Sequence, residues 1–115
     1  MLVYRVEHKD THRGPYSGKH IVNSMANCHN NDFERWPTPY YDGISVRYSE
    51  PHRYGFDSLD KLRSWFYGYL GVLNDRGFII VVVRIHGNSV KRGEKQVVYD
   101  PTKGKIVNKL ELKGN

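Results

Sequence analysis

The sequence predicts an α+β fold: a small, mostly antiparallel sheet of four or five strands, one main helix at about residues 58–76 packed on one face, and a long aromatic loop layer. Three features carry that expectation. Residues 78–85 read FIIVVVRI, a β-branched run with no alternation, as in a strand covered on both faces. Just upstream, apolar residues recur at three- and four-residue spacing. Before them lie 47 residues, 9–55, in which the apolar positions are few and largely aromatic.

At the front, Leu2, Tyr4 and Val6 alternate with Val3, Arg5 and Glu7, the period-two pattern of a first strand. Across 9–55 only residues 44–48 read as a strand, and long irregular stretches inside compact domains are usually functional or disordered. Phe33, Trp36, Tyr40, Tyr41, Tyr48 and Tyr54 bury large areas when packed, so an ordered layer pinned to the sheet is expected. The helix begins after Phe56, where Asp57 or Ser58 can accept from the first free backbone N–H groups and Asp60 places negative charge in the first turn. Leu59, Leu62, Trp65 or Phe66, Leu70 and Leu73 line its apolar face. Gly68 and Gly71 each cost about 1 kcal/mol against Ala in a helix interior, so they mark a kink or the close passage of a strand. Gly77 suits the left-handed position past the helix end, with Phe78 folding back onto Leu73. After the core strand, residues 86–89 turn and residues 96–99 form a short strand. Asp100–Gly104 is a turn with Pro101 at its second position. In the last strand, Ile106, Asn108, Leu110 and Leu112 point one way and Val107, Lys109 and Glu111 the other.

A chain of 115 residues suits a single domain with one core. Cys28 is the only cysteine, which excludes an internal disulfide and fits a reducing cytosol. The opening LVYRVEHKD has no apolar signal core, and no apolar run reaches the roughly 20 residues that span a bilayer, so a cytoplasmic protein without membrane attachment is expected. Lys and Arg number 18 against 12 Asp and Glu, for a net charge of +6. That excess is local, with +1 on residues 1–56 and +5 on residues 84–115.

Six histidines raise the question of a metal, but His8 and His12 lie in a segment without helical character and Cys28-His29 is an adjacent pair with no second cysteine. No metal site is expected. There is no nucleophile elbow, no phosphate-binding glycine loop and no dinucleotide fingerprint. Gly14 and Gly18 flank a segment in which Pro15 removes a backbone donor, which fits a tight loop. Lys103, Lys105, Lys109 and Lys113 form a basic stripe that suits either phosphate neutralisation, hence nucleic acid, or protection of a sheet edge. The loop Trp36–Gly43 is rich in the residue types that dominate binding hot spots. Trp36, Tyr40, Tyr41, Arg47 and Tyr54 are the candidate partner-binding residues, with a cluster that merely covers the sheet as the alternative.

The ordered set Tyr4-Arg5-Val6-Glu7, Gly14-Pro15-Tyr16, the Pro/Asp/Gly loop at 37–43, Gly55-Phe56-Asp57-Ser58-Leu59-x-x-Leu62-x-x-Trp65-Phe66 and Gln96-Val97-Val98-Tyr99-Asp100 resembles a family of small proteins encoded by phages and prophages. The resemblance covers most of the chain. It implies a phage or prophage origin. Small accessory phage proteins often bind and inhibit host machinery such as restriction or CRISPR defence complexes, so a stoichiometric binder of a host protein complex in the host cytoplasm, without a cofactor, is expected, and the positive charge suits an acidic partner surface. A fainter similarity, carried by residues 94–100 and Arg5, is to the ADP-ribosyltransferase fold. It implies an NAD site using Arg5, Ser58, Glu94 and Gln96. Alignment on the Val-Tyr-Asp end puts Lys95 rather than Glu94 at the catalytic glutamate, and one residue of slip on a strand reverses the face.

Overall fold

The computed structural model describes residues 1–46 and 51–112. In chain order these contain β1 (Leu2–His8), α1 (Asn23–Asn30), β2 (Arg53–Gly55), α2 (Leu59–Trp65), α3 (Leu70–Asp75), β3 (Phe78–Arg84), β4 (Val90–Arg92), β5 (Val97–Tyr99) and β6 (Lys105–Glu111). The α+β class is the predicted one. The described residues form six strands, divided between two antiparallel sheets of three, ordered β1-β3-β6 and β2-β5-β4.

The unalternating run at 78–85 explains the layering. Phe78 and Ile80 enter one apolar cluster with Met25 of α1, Leu62 of α2, Leu70 and Leu73 of α3, and Val6. Val81, Val83 and Ile85 enter another, with Val3 of β1 and with Val97 and Tyr99 of β5. Helices therefore cover one face of the first sheet and the second sheet covers the other, so β3 needs apolar side chains on both sides. The layers are stitched at a corner, where Tyr4 and Phe56 exchange two backbone hydrogen bonds of 2.8 Å.

The predicted helix start holds: Ser58 Oγ accepts from Lys61 N–H at 3.1 Å, and Asp57 pairs with Lys61 one turn on. The helix does not run unbroken to residue 76. It stops at Phe66, and Gly68 takes the left-handed φ of +87° before α3 restarts at Leu70. A left-handed residue redirects the chain, so α2 and α3 both bring their leucines to the same side of the short first sheet. Gly77, with φ +94°, ends α3 as expected.

Other elements depart from the sequence pattern. Residues 44–46 are not in a strand, and Arg47 and Tyr48 lie outside the described residues. In β6 the register against β3 shifts, from Val82 opposite Asn108 to Val83 opposite Ile106, leaving Val107 as the extra residue of a bulge. Cross-strand partners share a face. Ile106 thus lies on the side of Lys109 and Glu111, not with Asn108 and Leu110, because one extra residue inverts the alternation beyond it. α1 was not predicted; its buried positions are Met25 and His29, and a histidine does not register as an apolar mark.

Gly68→Ala tests the break. No atom lies within 4 Å of a Cβ added there, so the change is purely conformational. It is expected to lower stability by about 1–2 kcal/mol, the cost of a left-handed non-glycine residue, seen as a lower urea midpoint at unchanged slope.

Candidate functional site

Alternation along β1 places Arg5 and Glu7 on the same side as Val3, beneath the second sheet. Glu7 is 1% exposed, and its Oε1 accepts from Arg5 Nε at 3.1 Å and from Arg53 Nη1 at 3.5 Å. Its Oε2 accepts from His12 Nδ1 at 3.0 Å. Arg5 Nη1 also donates to the Tyr54 carbonyl at 3.1 Å, so the strand-one arginine is tied to β2.

Arg5 forms the charged end of a cavity of about 200 Å³ whose walls are aromatic, with Tyr16, Trp36, Phe56, Trp65 and Phe66 among them. Each wall ring is fixed by a polar handle or by a neighbour. Trp36 Nε1 donates to the Trp65 carbonyl at 2.8 Å, and Trp65 Nε1 donates to the Tyr16 hydroxyl at 2.7 Å. The Tyr16 hydroxyl is hydrogen-bonded in turn to His29 Nδ1. Because indole is only a donor, the Tyr16 hydroxyl accepts from Trp65 and keeps its own O–H to donate to His29 Nδ1, an arrangement in which the imidazole hydrogen is on Nε2. The His29 ring stacks on Trp36 at 4.2 Å between centroids. Burial lowers the His29 pKa to about 4, so it is neutral near pH 7, and burial raises the Tyr16 phenol. His29 Nε2 is buried without a partner among the described residues.

The loop that carries Trp36 is held by the segment before β5. Asp42 is buried, and its carboxylate accepts from Lys95 N–H at 3.0 and 3.1 Å and from Gln96 N–H at 2.9 Å. Gln96 Nε2 donates to the Pro37 carbonyl at 2.8 Å. Beyond this anchored stretch three rings face outward in mutual contact. Phe33, Tyr40 and Tyr41 are 57, 78 and 72% exposed, with Phe33 stacked on Tyr41 at 6.1 Å and Tyr40 edge-on to Tyr41 at 5.5 Å.

The structure thus gathers Arg5, Trp36, Tyr54 and Gln96 around one cavity and leaves Tyr40 and Tyr41 on the surface beside it. Arg47 and Lys113 lie outside the described residues. The four residues implied by the ADP-ribosyltransferase resemblance are not brought together: Ser58 is spent capping α2, and Glu94 lies in a separate depression with Arg35 and Lys61. The basic residues of the last strand do not form one stripe. Lys105 pairs with Arg84 and Lys109 with Val81, three positions apart in β3 and so facing opposite ways, because the bulge at Val107 breaks the alternation. Lys103 sits in the turn before them. Sequence reasoning missed Tyr16, His29, Trp65 and Asp42 as site residues. The spacing Val22, Met25, His29 was the available signal for α1, and Asp42 became visible only once its two N–H donors, Lys95 and Gln96, were placed.

Two measurements follow from this geometry. The unfolded chain takes up a proton at His29 near pH 6.5, while the folded chain resists it until about pH 4. The stability contributed by neutral His29 is therefore complete above pH 6.5 and is lost as pH falls toward 4. The loss is on the order of 2 kcal/mol after allowance for solvent screening. Denaturant titrations at pH 7 and pH 4.5 should show it in the parent and not in His29→Phe. Asp42→Ala strands the N–H groups of Lys95 and Gln96 and is expected to cost about 1–3 kcal/mol, with faster amide exchange at both.

No curated protein and no solved structure matches the chain significantly. Among the described residues, no helix is long and apolar enough to cross a membrane. The family model described as Bacteriophage T4 Y00F protein matches residues 1–113, which include the β1 motif, the α2 motif and the segment at β5. The chain belongs to the Bacteriophage T4 Y00F protein family.

Proposed function

We propose that this phage protein acts stoichiometrically, by binding a host protein through the exposed rings of Phe33, Tyr40 and Tyr41. The observation that supports the reading is the mutual contact of three large, outward-facing aromatics on a loop whose backbone is fixed. Asp42 N–H bonds the Thr38 carbonyl at 2.9 Å and Ile44 N–H the Pro39 carbonyl at 2.8 Å, so little ordering is left to complete on association. Rigid tyrosines and a nearby arginine are the side chains that dominate interface energetics. Arg35 supplies the last of these, stacked over Trp36 at 4.9 Å. With a net charge of +6 on the chain, the partner face is proposed to be acidic, which favours fast encounter at low salt.

The test uses Tyr40→Ser/Tyr41→Ser, at two positions exposed enough to spare the fold. Affinity capture from host lysate with quantitative mass spectrometry should show one host protein retained by the parent and depleted about 30-fold or more by the double variant, as for hot-spot residues. Equal recovery by a folded double variant would reject this surface.

A further inference from the structure

We propose that the aromatic cavity is a binding site for a small flat aromatic monoanion, one or two fused rings bearing a single carboxylate, with that group seated on Arg5. The inference rests on the interior of the cavity and stands whether or not the exposed rings dock a protein.

Size sets the first bound. A cavity of about 200 Å³ lies below the range of roughly 300–1,000 Å³ that houses drug-sized ligands, so it admits one or two rings and not a dinucleotide. The walls set the second. Trp36, Trp65, Phe56 and Phe66 offer ring faces and edges, and the indole N–H groups of both tryptophans are already engaged with Trp65 and Tyr16, so those walls present carbon to an occupant. Aromatic occupants gain from such walls beyond area alone.

Charge sets the third. Arg5 is only 8% exposed, yet of its five donors Nε goes to Glu7 and one hydrogen of Nη1 goes to Tyr54. No described residue accepts from Nη2. His29 Nε2 is the one side-chain polar atom among the described residues that is both sealed and unpartnered, so Arg5 Nη2, unpartnered as well, is not sealed, and Arg5 lines this cavity. Glu7 pairs with Arg5 at 3.1 Å and with Arg53, whose side chain is 37% exposed, at 3.5 Å, so the surplus positive charge of the trio is borne by Arg53 in contact with solvent, and what Arg5 offers the cavity is its unpartnered Nη2. An anion that reaches Nη2 gains a charge-assisted hydrogen bond there. The Gly14 main chain packs close to the guanidinium, where an added Cβ would crowd Nη2 at 3.3 Å, so the glycine keeps room for that group. A planar carboxylate matches the planar fork of arginine.

The experiment titrates the whole protein with benzoate, benzamide and cyclohexanecarboxylate, read by calorimetry and by the two indole N–H resonances. The chain has two tryptophans and both line the cavity, so these resonances report its occupancy. Benzoate is expected to saturate one site and shift both signals. Benzamide, equal in shape and uncharged, should bind at least about 10-fold more weakly, the scale of a charge-assisted hydrogen bond. Cyclohexanecarboxylate keeps the charge and loses the flat ring, and should bind about 2- to 10-fold more weakly. Arg5→Lys retains the charge without the fork and should weaken benzoate; should it fail to fold, Thr38→Phe, at the exposed mouth of the cavity, should abolish binding instead. Absence of saturable benzoate binding, equal affinity for benzamide, or unmoved indole resonances would overturn the proposal.

Discussion

Glu7 is the constraint on which the rest of the architecture depends. A carboxylate 1% exposed between two sheets is tolerable only when paired, and its partners come from three places: Arg5 on the same strand, Arg53 on β2 and His12 in the loop after β1. Removing one partner of such a set costs about 3–5 kcal/mol in measured cases, so the pairing fixes how β2 sits over β1. The Tyr4–Phe56 backbone pair completes the corner. Once that corner is set, Gly55 packs against Val3 and Tyr4 so tightly that an added Cβ would stand 2.7 Å from Val3 Cγ1. Arg5 is then held at the edge of the space the helices must cover.

The helices do not close that space. Phe66, Trp65 and the stack of His29 on Trp36 meet as large rigid rings, and rings held by specific hydrogen bonds cannot slide to fill a gap as an aliphatic chain would. The cavity is the residue of that geometry. Its walls consist of groups already committed to one another, and its charged end consists of a guanidinium committed only in part. The exposed rings of Phe33, Tyr40 and Tyr41 continue the same loop outward, so one backbone anchor, Asp42 on Lys95 and Gln96, positions both an interior and an exterior aromatic surface. Family membership places the chain among phage proteins, and these two surfaces are where its chemistry is concentrated.

Much of the scaffold was legible residue by residue. The unbroken FIIVVVRI run reads as a doubly covered strand because two faces each demand apolar side chains, and β3 has a cluster on each. Ser58 reads as a helix cap and Gly77 as a helix end because both depend on neighbours within a few residues. The site was legible only in fragments. Trp36 and Tyr54 were marked by composition, and Arg5 and Gln96 by resemblance, but nothing in their spacing shows that residues 5, 36, 54 and 96 share one cavity. His29 was hidden because a stacked, neutral imidazole does the work of an apolar residue while counting as a polar one.

By itself the sequence determined the α+β class, the central strand, the cap and stop signals and the late position of the positive charge, since all of these arise from local backbone preference and side-chain periodicity. Only the tertiary structure decided that the strands divide into two sheets, that the helix breaks at Gly68 rather than Gly71, and that the bulge at Val107 scatters the lysines of β6 over two faces. It also decided that Arg5 ends beside Trp36 and Gln96. The reason is common to all of them: pairing register, chain reversal and the sharing of a buried charge are settled by residues far apart in the chain, whose competition for partners no local pattern encodes.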